Sequence, residues 1–156
     1  MMETARILSI YHDSVVDGEG LRTVIFFAGC PHYCKGCHNP RSWNIRNGRE
    51  MNVQQIVEEA WNPLTDITLS GGDPFYQAEA AASVSRQLKE LGKNIWAYTG
   101  WTIEELRENK DPHQLELLNY VDVLVDGPFR LAERDLTLSF RGSRNQRIIE
   151  MGNERK

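Results

Sequence analysis

The chain has 156 residues, of which 40% are hydrophobic and 26% are charged, and its formal net charge is −4. A chain of this length buries roughly 70% of its unfolded surface, so we expect a single domain over residues 1–156. The acidic balance argues against a general nucleic-acid binder, which needs a basic face for phosphates. No apolar run approaches about 18 residues, and Glu3 and Arg6 interrupt the N-terminus, so we expect no membrane span and a cytoplasmic location.

Strands and helices alternate along the sequence. Buried strands are predicted at four apolar runs, namely Arg22–Cys30, Thr65–Ser70, Asn94–Gly100 and Tyr120–Gly127. Helices are predicted after the N-cap signals at Asn52, at Asp73-Pro74 and at Thr102, where Glu105 completes a capping box. The stretch RIIE, Arg147–Glu150, is a candidate for a final short strand.

This alternation indicates an α/β protein with a mainly parallel sheet. A complete eight-fold barrel needs at least about 200 residues, so four or five βα units predict an open, partial β/α barrel. In this architecture the loops at the carboxyl ends of the strands gather at one rim. We therefore expect the cysteine loop and the stretches SGGDP, YTG and VDGPF to meet there and form the active site.

All three cysteines lie in one loop, as Cys30, Cys34 and Cys37, with the spacing C-x3-C-x2-C. In a reducing compartment, clustered cysteines indicate metal binding or catalysis rather than disulfides. A structural zinc site usually takes four ligands, so it would need His32, His38 or a distant group as well. A second alternative is that the three cysteines are buried and act as small apolar residues. The functional interpretation is a [4Fe–4S] cluster held by three thiolates, with one iron open to a substrate or cofactor.

The cysteine spacing resembles that of the radical S-adenosylmethionine (SAM) superfamily. Val16–Asn44 is similar to the glycyl-radical-enzyme activases within it. Four further stretches resemble the activating proteins of anaerobic ribonucleotide reductase: LSGGDP (Leu69–Pro74), YTGW (Tyr98–Trp101), VDVLVDG (Val121–Gly127) and FRGSRNQR (Phe140–Arg147). The resemblance covers roughly Asp17 to Arg147.

The resemblance implies an activase in which the three cysteines hold the cluster and SAM binds the open iron. Reductive cleavage of SAM would give a 5′-deoxyadenosyl radical, which removes a hydrogen atom from a glycine of the reductase. Gly71 and Gly72 have no side chains and would let the backbone approach the methionyl amine, although a plain strand-to-helix turn is the alternative. Asp73 would bind the ammonium group, cap its helix, or do both.

Other residues of the expected rim have less specific roles. Gly36 stands where many superfamily members have an aromatic residue, so the backbone from Gly36 through Cys37 to His38 is the candidate surface for the adenine. Thr99 and Asp126 are candidates for contacts to the methionyl or ribose groups, or for strand-end caps. His32 and His38 are expected near the cofactor but not as iron ligands. Five C-terminal arginines form either a solvated surface or a patch that docks the reductase or faces the SAM carboxylate: Arg130, Arg134, Arg141, Arg144 and Arg147.

The implied partners are the large subunit of anaerobic ribonucleotide reductase and an electron donor such as a flavodoxin or a ferredoxin. Within the same class, the alternative is activation of another glycyl-radical enzyme, of the formate-lyase type. Outside enzymes, the alternative is a zinc-binding interaction module.

Overall fold

Seven β-strands form one mixed sheet in the computed structural model, which describes residues 3–37 and 40–154. The strands are β1 (Thr4–Ser14), β2 (Arg22–Phe27), β3 (Arg49–Asn52), β4 (Asp66–Gly71), β5 (Ile95–Tyr98), β6 (Val123–Asp126) and β7 (Arg147–Glu150). Their order across the sheet is β3-β1-β2-β4-β5-β6-β7. Strands β2, β4, β5 and β6 are parallel, whereas β1, β3 and β7 pair antiparallel with their neighbours.

The helices of the described residues are α1 (Val53–Ala60), α2 (Ala78–Glu90), α3 (Ile103–Asn109), α4 (Pro112–Tyr120) and α5 (Met151–Glu154). Short 3-10 helices lie at Pro40–Trp43, Ile45–Asn47, Pro74–Gln77 and Leu131–Glu133. Within residues 3–37 and 40–154, no helix is both long enough and apolar enough to cross a membrane.

Local capping sets the first residues of α1 and α3, as the sequence predicts. The Asn52 side chain accepts a hydrogen bond from the Gln55 N–H, and the Gln55 side chain accepts one from the Asn52 N–H. Thr102 and Glu105 make the same reciprocal pair at α3. Each pair satisfies backbone donors that a helix start leaves free, so a few neighbouring residues are enough to define the boundary.

The core lies between the helices and one face of the sheet. A row of fully buried residues crosses the four parallel strands in register: Ile25, Leu69, Ala97 and Leu124. These residues share one apolar cluster with side chains of α1, α2, α3 and α4. Burial of this apolar surface drives the packing, and the aligned register brings the carboxyl ends of the four strands to one edge.

The parallel arrangement holds for the four central strands, and both flanks of the sheet are antiparallel. The open, partial barrel stays a prediction. Strands β1 and β3 and helix α4 were not predicted from the sequence. In β1 only alternate residues such as Ala5 and Ile7 are buried, so its apolar signal is diluted by polar residues on the other face.

Candidate functional site

The carboxyl ends of the four parallel strands surround one cavity of about 320 Å³. Each of the four loops that follow these strands contributes to its wall, through residues that include Cys30, Gly71, Thr99 and Gly127. The prediction that the four loops meet at one rim is therefore confirmed.

The three cysteines line this cavity as partly exposed thiols that are not joined in disulfides. Their loop is held by backbone bonds to the 3-10 helix that follows it. The Gly29 N–H donates to the Ser42 carbonyl at 2.7 Å, and the Cys30 N–H donates to the Trp43 carbonyl at 3.2 Å. These bonds fix the start of the loop and direct the thiols into one shared space.

Burial raises the pKa of the Cys30 thiol to about 11, and burial also raises the pKa of Cys34. In the chain alone both groups are therefore protonated at neutral pH, whereas the thiolate is the form that binds a metal. A soft, positively charged metal centre would favour the thiolates and release their protons. The donor set fits an iron–sulfur cluster in this respect.

A cluster and a single zinc ion make different demands on the three thiols. A tetrahedral zinc needs all of its ligands within about 2.0–2.3 Å of one point. In a four-iron cluster each thiolate binds a different iron, so the sulfur atoms stand farther apart. Among the described residues, no three His, Cys, Asp or Glu side chains form a group that could hold one metal ion. His38, a possible fourth zinc ligand, lies outside the described residues.

Gly71 and Gly72 lie where β4 meets the start of the cysteine loop. Gly71 has a φ of 103°, and a Cβ added there would lie 2.4 Å from the Phe27 carbonyl oxygen. A Cβ on Gly72 would lie 2.3 Å from the Gly29 carbonyl oxygen. The close approach lets the Gly72 N–H donate to Phe27 O at 2.7 Å. Both glycines line the cavity. The contact that leaves no room for a side chain, however, is made with the backbone of Phe27 and Gly29 in the same chain.

Asp73 is fully buried and joins three loops of the rim. One carboxylate oxygen, Oδ1, accepts from the Phe75 N–H at 2.9 Å and so caps the 3-10 helix Pro74–Gln77. The other, Oδ2, accepts from Gly100 N–H at 2.8 Å and Thr99 Oγ1 at 2.9 Å, and lies 2.7 Å from His32 Nε2. Asp73 does not line the cavity. Of the two roles expected from the sequence, the structure shows the capping of a helix.

His32 and Thr99 are positioned by this carboxylate. The His32 ring also packs edge-on against Trp101, with ring centroids 4.6 Å apart. Thr99 lines the cavity, but its hydroxyl is engaged by Asp73 and by the Trp101 N–H. His32 therefore acts within the rim as an anchor of the cysteine loop, and its absence from the iron ligands stays a prediction.

Gly36 lacks a side chain for a structural reason. It has a φ of 79°, and an added Cβ would lie 2.9 Å from a methyl group of Leu131. Leu131 thus occupies the space that an aromatic residue at position 36 would need. Gly36 itself is not in the cavity wall, although Cys37 is. His38 lies outside the described residues.

Asp126 is the candidate that the structure moves away from the site. It is fully buried and does not line the cavity. Its carboxylate accepts from the Ile103 N–H at 2.9 Å and pairs with the Arg147 guanidinium. Arg147 also pairs with Glu104, whose pKa it lowers to about 2 through hydrogen bonds. The strand-end cap, which the sequence left as an alternative, is the role that these contacts show.

Several residues of the cavity wall were not singled out from the sequence, among them Phe26 in β2, Phe129 in the VDGPF loop and Gln146 in the C-terminal stretch. The Gln146 side chain accepts from the Gly142 N–H at 2.8 Å and donates to the Gly127 carbonyl at 3.1 Å. The Asn145 side chain donates to the Pro128 carbonyl at 2.8 Å. The RGSRNQ stretch, noted from the sequence without a role, therefore fastens the C-terminal loop over the end of β6.

Several known proteins that resemble this chain bear the same name. A family described as a 4Fe-4S single cluster domain matches residues 16–149. The chain is 39% identical over 155 residues to an anaerobic ribonucleoside-triphosphate reductase-activating protein of Haemophilus influenzae, covering 90% of this chain and 95% of the relative. Proteins of the same name from Vibrio cholerae and from phage T4 are 40% and 37% identical over 149 residues each. These matches cover 88% and 89% of this chain, and 93% and 90% of the relatives.

Proposed function

Since the chain belongs to the anaerobic ribonucleoside-triphosphate reductase-activating proteins, with a 4Fe-4S single cluster domain over residues 16–149, we propose that it generates a glycyl radical on an anaerobic ribonucleotide reductase. When bound, the cluster supplies one electron to SAM, which splits into methionine and a 5′-deoxyadenosyl radical that takes a hydrogen atom from a glycine of the reductase. The enzyme is then a SAM-dependent oxidoreductase whose protein substrate is the large subunit of the reductase.

The observation that carries this proposal is the three-thiol wall of the rim cavity. The whole chain has three cysteines, so a four-iron cluster has one iron without a thiolate from the chain. His32 faces the same cavity, but its Nε2 is engaged by Asp73 at 2.7 Å. The iron without a thiolate would thus be open to SAM, whose amine and carboxylate would both bind it.

The remaining walls suit a ligand that must be shielded from water. Phe26, Tyr98 and Phe129 supply apolar surface, while Gly71 and Gly72 present backbone without side chains. Ligand pockets commonly have volumes of about 300–1,000 Å³, and the cavity of about 320 Å³ lies within that range. Shielding matters because water near a reactive intermediate permits side reactions.

A groove of about 760 Å³ continues from this cavity and offers a route for a peptide segment of the reductase. The groove shares Asp17, Tyr98 and Gly142 with the cavity and extends to Val15 and Val16, which are exposed. The DGEG stretch, Asp17–Gly20, borders this opening. We also propose that the sheet curls into an open barrel around the site, that the chain acts in the cytoplasm, and that a flavodoxin-like or ferredoxin-like protein supplies the electron.

Anaerobic reconstitution with iron and sulfide tests the proposal. We expect about four irons and four sulfides per chain, and a reduced-cluster EPR signal that changes when SAM is added. Incubation with SAM, a reductant and the anaerobic reductase should then produce the doublet EPR signal of a glycyl radical on the reductase. The Cys37→Ser variant is the control, and it should give neither SAM cleavage nor the doublet.

Two outcomes would contradict the proposal in different ways. A protein that takes up one zinc per chain and ignores SAM would be a zinc-binding module. A loaded protein that cleaves SAM but activates a formate-lyase-type enzyme rather than the reductase would have another substrate.

A further inference from the structure

One segment around the cysteines carries positive charge and no acidic residue. Residues 31–48 contain Lys35, Arg41 and Arg46 and neither Asp nor Glu. The whole chain carries −4 and this segment +3, so the remaining residues carry −7. The arginine-rich stretch 128–147 also carries +3, but it contains Glu133 and Asp135, whereas the segment that holds the three thiols contains no carboxylate side chain.

The fold keeps these cations next to the cysteine loop. Lys35 lies in the loop itself, between Cys34 and Cys37. The 3-10 helix that begins at Pro40 contains Arg41 and is bonded to Gly29 and Cys30 through the Ser42 and Trp43 carbonyls. The Asn47 side chain donates to the Arg41 carbonyl at 2.7 Å, which ties the stretch containing Arg46 back to that helix.

The three side chains are exposed and available. In the part of the chain that the structure describes, no carboxylate lies within salt-bridge distance of Lys35, Arg41 or Arg46. By contrast, two arginines of the neighbouring C-terminal stretch are neutralised, because Arg130 pairs with Glu133 and Arg147 pairs with Glu104 and Asp126. We call Lys35, Arg41 and Arg46 together the cationic face.

Exposed aromatic rings lie beside the cationic face. The Tyr33 side chain is 63% exposed and packs edge-on against Trp43, with ring centroids 5.2 Å apart. Tyr76 is 51% exposed and its ring lies against Gly29, where an added Cβ would be 2.9 Å from it. Aromatic side chains surrounded by charged ones are typical of protein interfaces, where the rings provide the buried contact and the charges orient the partner.

We propose that the cationic face is the docking surface for an acidic one-electron carrier protein that reduces the cluster, an inference that rests on the proposed function. One electron passes from the carrier to the cluster, so the carrier is oxidised by one electron, the cluster is reduced by one, and no bond forms or breaks. An acidic partner is attracted to this face, whereas the remaining residues carry −7 in total. The partner therefore meets the chain beside the loop that holds the three thiols.

Charge reversal on the reconstituted, cluster-loaded chain tests this inference. The variant carries Lys35→Glu, Arg41→Glu and Arg46→Glu together, and reduced flavodoxin is the acidic carrier used as the probe. Electrostatic steering changes association rates by about 10–10³-fold, so the rate of cluster reduction should fall at least about tenfold at low ionic strength. In the unaltered protein the rate should fall as salt is raised, because the Debye length shortens to about 8 Å near 0.15 M.

A matched control reverses three exposed cations on the helical side, Arg86→Glu, Arg107→Glu and Lys110→Glu. It has the same change of net charge, and its reduction rate by flavodoxin should stay within about twofold of the unaltered protein. Photoreduced 5-deazariboflavin, a small uncharged donor, should reduce all three proteins at equal rates.

Three results would overturn the proposal. The two charge-reversal variants could slow to the same extent, the cationic-face variant could react with flavodoxin at the normal rate, or it could slow equally with both donors. SAM cleavage driven by 5-deazariboflavin in the unaltered protein tests the proposed function separately, since that reaction needs no docking surface.

Discussion

Replacing Asp73 with asparagine should lower the free energy of unfolding of the cluster-free protein by about 2–4 kcal/mol. The two carboxylate oxygens accept from two fixed backbone donors, the Phe75 N–H on Oδ1 and the Gly100 N–H on Oδ2. Asparagine has one oxygen, so in either orientation its NH₂ group faces one of these donors. A buried N–H without an acceptor costs about 1–3 kcal/mol, and the loss of charge assistance in the other bonds adds about 1 kcal/mol.

Urea denaturation under anaerobic, reducing conditions measures this effect. With an m-value of about 2 kcal/mol/M, the midpoint should fall by roughly 1–2 M. The control is Asp111→Asn, at the cap of α4, where one carboxylate oxygen, Oδ1, accepts from both the His113 and the Gln114 N–H groups. Asparagine caps a helix as well as aspartate does, so the midpoint there should move by less than about 0.3 M. Equal shifts in the two variants, or none in either, would refute the role assigned to Asp73 as the junction of three loops.

Three further predictions concern the same rim and its surroundings. Gly72→Ala should destabilise the chain by at least about 1–3 kcal/mol and reduce iron uptake, because its Cβ would meet the Gly29 carbonyl oxygen at 2.3 Å. The control is Gly152→Ala, whose Cβ would meet nothing within 4 Å, and this variant should unfold like the unaltered protein. Arg147 lowers the pKa of Glu104 from 4.5 to about 2, so the stabilising contribution of Glu104 is fully present above about pH 4.5 and is lost as the pH falls through about 2. Acid titrations of stability should therefore lose part of their slope in Glu104→Gln, and an unchanged slope would contradict the assignment. Cys34→Ser should abolish SAM cleavage and lower the bound iron while far-UV circular dichroism stays unchanged, and full activity with normal iron would exclude Cys34 as a ligand.

Much of the rim could be predicted because its signals are local in the sequence. The spacing of Cys30, Cys34 and Cys37 pointed to a three-thiolate cluster, and the chain proved to match a 4Fe-4S family over residues 16–149. The capping pairs at Asn52 and Thr102 set the first residues of two helices, since each pair involves residues three apart. The convergence of the four loops followed from parallel strands, whose carboxyl ends must share one edge.

The roles of single residues at the rim depended on contacts that no local pattern contains. At Gly36 the positive φ of 79° disfavours other residues, and an added Cβ would also lie 2.9 Å from Leu131, which is far away in the chain. Asp126 lies at the end of a strand, where site residues are expected. Its carboxylate, however, accepts from the Ile103 N–H at the start of α3 and pairs with Arg147.

The sequence by itself determined the family, the clustering of the three cysteines and the edge of the sheet at which the four loops meet, because these depend on residue type and short spacings. Only the tertiary structure decided that Asp73 is a buried junction and that His32 anchors the cysteine loop. Asp73 and His32 are 41 positions apart, and their bond exists only once β2 and β4 lie side by side. Their roles therefore follow from the pairing of strands, since folding alone brings such distant groups within hydrogen-bond distance.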